Sequence, residues 1–77
     1  MSTDANLQQR MLCAHHAGDA ASLPALYLEA ARLRQAQGDV DAACFFFTHA
    51  YIYALDAGDD ATAQQAHSQL KAHGRDR

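Results

Sequence analysis

The sequence predicts an all-α domain of about four antiparallel helices arranged as tandem hairpins or a small helical bundle, and three observations predict it. The composition is rich in Ala, Leu, Gln and Arg, all good helix formers, and poor in the Val, Ile and Thr that favour strands. The dipeptide Gly-Asp recurs as Gly18-Asp19, Gly38-Asp39 and Gly58-Asp59, at a constant spacing of twenty residues. Between these dipeptides, apolar residues return at three- and four-residue steps. A glycine in the left-handed conformation ends one helix, and an aspartate caps the free N–H groups that begin the next. Each segment holds sixteen to eighteen residues. That is roughly 25 Å of helix, and turns this tight make neighbours run antiparallel.

The first helix is expected near residues 3–17, where Leu7, Met11 and Ala14 share a stripe and Asp4 or Thr3 is available as a cap. The second is expected over 22–37, with Leu23, Leu26, Tyr27, Ala30, Ala31 and Leu33 set against Glu29, Arg32 and Gln35. Pro24 belongs in its first turn, where a missing N–H costs nothing, so Ser22 competes with Asp19 as its cap. The fourth runs near 60–73, with Ala63, Ala66, His67 and Leu70 in rhythm before Gly74, and the tail over 74–77 is expected to be flexible.

The third helix, over 40–57, has almost no polar face. A helix that is apolar all round is buried all round. At about 100° per residue, Ala43, Phe47, Ala50 and Ala54 share one face, while Phe45, Ile52 and partly Leu55 lie opposite, beside Thr48, His49 and Asp56. Phe46, Phe47 and Tyr51 are assigned to the core. Phe45, Ile52 and Leu55, with Tyr53 at the edge, are the candidate protein interface, because large apolar and aromatic anchors dominate such surfaces. The plainer alternative is that helix one folds over them and completes a monomer.

From Tyr27 to Leu55 the residues resemble one unit of the tetratricopeptide-repeat family. Tyr27 matches the aromatic that opens the first helix of that motif, Ala30 and Ala31 the close-packing pair, Gly38-Asp39 the turn, and Ala43, Phe47 and Ala50 the small, aromatic and small positions of the second helix. The pattern departs from the family at Arg34, where an aromatic is usual, in the lack of a closing proline, and in the twenty-residue spacing. The resemblance implies a module that binds protein or self-associates.

Charge and composition exclude several classes. Nine acidic and six basic side chains give a net charge of -3, with no basic stripe to neutralise phosphates, so no nucleic-acid partner is expected. Asp4, Gln8, Gln9 and Arg10 interrupt the apolar run a secretory signal needs, and residues 42–57 fall short of a bilayer span. A cytoplasmic protein with two reduced thiols, no membrane contact and no cofactor is the expectation.

Cys13, His15 and His16 form the one compact group with metal-ligand or thiol chemistry, and Cys44 with His49 is the only possible supplement. Cys44 and His49 are five apart and face different ways. In the plainer reading both cysteines are buried fillers, and His15 and His16 sit at a solvated helix end. Residues two apart on a helix point away from each other, so Cys13 and His15 do not form a nucleophile–base pair, and the aspartates gather at turns where capping explains them. No phosphate loop or protease signature occurs. The expectation is therefore a non-enzymatic protein-interaction module, with no catalytic or metal residue assigned, that self-associates through helix three. A monomeric adaptor for a partner helix or peptide is one alternative. A metal-binding or thiol-reactive protein using Cys13, His15, His16 and Cys44 is the other.

Overall fold

Where each helix begins and ends follows from how its unpaired backbone groups are satisfied. The structure, a computed structural model, describes residues 3–75, with side chains from Ala5 onward. The cap expected of Thr3 or Asp4 therefore lies outside the described side chains, and Asp76 and Arg77 of the tail lie outside the described residues. Four helices follow one another: α1 (Thr3–Ala17), α2 (Leu23–Ala36), α3 (Val40–Ala57) and α4 (Asp60–Ala72). The described residues contain no strand.

The two inner turns share one construction. Gly38 and Gly58 adopt φ of 81° and 72°, a region that side chains with a Cβ rarely enter. The next residue's N–H then reaches back five residues: Asp39 N bonds Arg34 O at 3.0 Å, and Asp59 N bonds Ala54 O at 2.8 Å. The same aspartates cap forward, each accepting from a backbone N–H at 3.1 Å, Ala42 for Asp39 and Thr62 for Asp59. One side chain thus closes one helix and opens the next.

The first turn is built differently. Asp19 N still bonds Ala14 O at 2.9 Å, but α2 starts only at Leu23, with Pro24 in its first turn. Ser22 occupies the N-cap position, yet its hydroxyl donates to the Asp19 carboxylate at 2.7 Å instead of capping the helix. Neither residue serves as the side-chain cap the sequence suggested.

Packing centres on α3. Leu28 and Ala31 of α2, Ala43, Cys44, Phe47 and Ala50 of α3, and Ala66 and Leu70 of α4 form the core. Ala31, Ala43, Phe47, Ala50 and Ala66 have no exposed surface at all. Methyl-sized residues let helix axes approach toward the ~8 Å end of the usual range, and Phe47 fills the space they leave. The side chains bridging α2 and α4 advance together, Arg32 to Gln65 at 2.7 Å and Gln35 to Gln69 at 3.2 Å, so these two helices are parallel and α3 is antiparallel to both. α1 packs on α2 through buried Leu7 and Ala14, with an Arg10–Glu29 ion pair at its edge. The Cα trace measures 33 × 32 × 15 Å, a slab rather than a ball. No described helix is long and apolar enough to cross a membrane.

Two side chains depart from the expected pattern. His67, placed on the apolar stripe of α4, is exposed, its ring 5.8 Å from that of Tyr51. Leu28, absent from the stripe read on α2, is buried at 7% exposure because it lies one turn from Ala31 on the side facing α3 and α4.

Phe47→Ala is expected to cost about 3–5 kcal/mol, most of the stability available to so small a domain. Urea titration followed by circular dichroism should find it largely unfolded without denaturant, and a transition within about 1 kcal/mol of wild type would contradict the packing described here.

Asp59 has its carboxyl held below the ordinary value by the hydrogen bonds from Thr62. A depressed folded-state pKa contributes stability above the unfolded value, and that contribution is lost as pH falls through the folded one. Asp59→Asn keeps a capping oxygen but removes the titration. Between about pH 5 and pH 3, the melting temperature of wild type is expected to fall more steeply than that of the variant; parallel slopes would count against the cap.

Candidate functional site

An eighteen-residue helix with apolar residues on every side needs neighbours on every side, and α3 has them on only part of its circumference. Ala43, Phe47, Ala50 and Ala54 turn inward and are fully buried. On the opposite side Phe45, Ile52 and Leu55 are 57%, 50% and 54% exposed. α1 does not cover them, because it packs against α2. Tyr53, at the edge of this face, is half-buried, with its ring 5.0 Å from Tyr27 and 6.0 Å from His15. Phe46 and Tyr51 are half-buried against the core rather than inside it.

Tyr53 leads into a cluster of rings contributed by three helices. His15 of α1 is within hydrogen-bond distance of the Tyr27 hydroxyl, at 3.0 Å from Nε2. Tyr27 of α2 stacks on His49 at 5.6 Å and tilts against Phe46 at 6.1 Å. Phe45 lies 4.3 Å from the His49 ring, so the cluster continues onto the exposed face. Nδ1–H of His49 donates to the Phe45 carbonyl at 2.9 Å, which fixes the ring over its own helix. Burial pushes the Tyr27 phenol up, and the neighbouring Tyr53 hydroxyl adds to this. Together these rings, drawn from three helices, flank the α3 face.

Beside the rings an apolar groove of about 310 Å³ runs between α1 and α3 above α2. Leu7, Met11, Leu12, Tyr27, Ala30 and Phe46 line it. Nothing in the sequence pattern announces this groove, because it arises from where α1 settles relative to α3.

The thiol and imidazole group does not converge. Cys44 is buried in the core, and Cys13 is exposed on α1, which corrects the expectation that both are buried fillers. His15 belongs to the ring cluster. Among the described residues no three of His, Cys, Asp and Glu are grouped so as to hold a metal ion.

The ends of the α3 face carry charge. Asp41, in its first turn, accepts from the Arg75 guanidinium at 2.6 Å. This hydrogen bond further favours the charged form of Arg75. Sequence reasoning missed the pair because thirty-four residues separate its members. Asp56 stands exposed at the other end. The chain matches no protein-family model, no characterised protein and no solved structure, so this surface has to be read from its own chemistry.

Proposed function

We propose that this chain is a small non-enzymatic protein-association module that pairs with a second copy of itself through the outer face of α3. The observation that carries the reading is the exposure by half or more of Phe45, Ile52 and Leu55 on the helix whose other side forms the core. Scattered surface leucines are ordinary, but here Phe45 and Ile52 stand two turns apart on one line of α3 with Leu55 toward its edge, so the exposure gathers on one side of the helix. The parallel, adjacent α2 and α4, both packed against one face of α3, fit the tetratricopeptide-like arrangement implied by Tyr27, Ala30, Ala31 and Phe47, whose usual work is binding protein. Two free thiols, Cys13 and Cys44, fit a reducing, cytoplasmic setting.

Magnitudes limit the strength of such a pairing. An eighteen-residue helix is about 27 Å long and presents a strip about 10 Å wide, well under the ~800 Å² per partner of a standard stable interface. A rim residue such as Tyr53 adds area, and the pairing is expected to be weak and reversible, with a dissociation constant in the micromolar range or above.

Sedimentation equilibrium from about 1 μM to 500 μM is expected to show a reversible dimer. Phe45→Asp and Ile52→Asp replace exposed side chains, so each is expected to remain helical and become monomeric over the same range. A wild-type monomer at every concentration, or an unchanged dimer in both variants, overturns the proposal.

A further inference from the structure

Along the middle of the exposed face of α3, six residues have a spacing that reads the same in both directions, with Leu55 at the edge outside it. Asp41 to Phe45 and Ile52 to Asp56 are each four residues, while Phe45 to Thr48 and His49 to Ile52 are each three. At about 100° per residue, Asp41, Phe45, Ile52 and Asp56 fall within a strip roughly 60° wide, and all four are exposed. A two-fold axis passing between Thr48 and His49 exchanges acid with acid and large apolar residue with large apolar residue.

We infer that two copies pair with their α3 helices antiparallel about this axis, and that Arg75 bridges Asp41 of its own chain to Asp56 of the second copy. The inference rests on the proposed self-association and specifies its direction and register. Under the two-fold, Phe45 packs against Ile52 of the second copy twice, and Thr48 and His49 lie at the centre. Both ends bring Asp41 opposite Asp56, which alone would repel. Arg75 is already seated on Asp41 at 2.6 Å, with 45% of its side chain exposed, and supplies the cation each end needs. Asp56 has no hydrogen bond or ion pair among the described residues and is left for this contact. A parallel pairing has no such balance. It sets Asp56 beside Asp56 with no cation near, and Phe45 beside Phe45 with Thr48 beside Thr48, leaving one crowded and one thin layer.

Cross-linking separates the two arrangements. In a Cys13→Ser, Cys44→Ala background, Thr48→Cys is expected to form a disulfide-linked dimer under mild oxidation in either direction, and its absence would remove pairing through α3 altogether. Asp56→Cys alone is expected not to, since the two copies of that position stand about 20 Å apart in the antiparallel pair. Mixing Asp41→Cys with Asp56→Cys protein should give the mixed disulfide. A second measurement keeps both native cysteines: Arg75→Glu is expected to weaken sedimentation-detected association about tenfold, and adding Asp56→Lys to recover most of that loss. Self-cross-linking of Asp56→Cys, or no recovery in the double variant, overturns the antiparallel bridge. If Phe45→Asp still abolishes the dimer in that case, association through α3 stands and only its direction is wrong. A wild-type monomer throughout removes both.

Discussion

Everything in this fold depends on how closely α2 and α4 can approach α3, and alanine sets that distance. Ala31 on α2, Ala43 and Ala50 on α3, and Ala66 on α4 meet with no exposed surface, and Phe47 is the single large side chain wholly enclosed among them. A 77-residue chain buries only about 60% of its unfolded surface. With so little to bury, a core of small residues around one ring is an economical solution, since it needs no fifth element. The same solution leaves α3 half-wrapped. The two neighbours that fit against its alanine face cannot also reach the side bearing Phe45 and Ile52.

The turns were legible in the sequence because their chemistry is local. A left-handed glycine followed by an aspartate satisfies the carbonyls behind and the N–H groups ahead without help from elsewhere, so Gly38-Asp39 and Gly58-Asp59 could be read as boundaries directly. The division of α3 into a buried and an exposed face was legible for a similar reason, since helical periodicity alone separates Ala43, Phe47, Ala50 and Ala54 from Phe45 and Ile52. Asp19 failed as a cap because Pro24 fixes where α2 begins, and the intervening turn brings Ser22 back toward Asp19.

What stayed illegible is tertiary. Periodicity says that α1 has an apolar stripe but not which neighbour takes it, and so could not decide whether Phe45 would be covered. Leu28 and His67 show the same limit on a smaller scale. Each lies near the border of its helix's apolar stripe, and the position of the adjoining helix decides which side of the border it takes. The Asp41–Arg75 pair and the α1–α3 groove also depend on distances between helix ends that no spacing in the sequence encodes.

An exposed apolar face on a marginal domain is a hazard unless charge confines it. Asp41 and Asp56 bracket the strip, and the net charge of -3 opposes indiscriminate collapse. In the proposed pairing, such brackets also penalise any register in which acid meets acid without a cation. Association and folding are then linked by mass action: a partner that binds only the folded chain stabilises it by RT ln(1 + [L]/Kd), about 2.7 kcal/mol at a hundredfold excess over Kd. For a domain whose core rests on one phenylalanine and a ring of alanines, that is a substantial share of total stability. In the proposed pairing, the apolar outer face of α3 is the second half of the same helix's burial, supplied by a second copy of the chain.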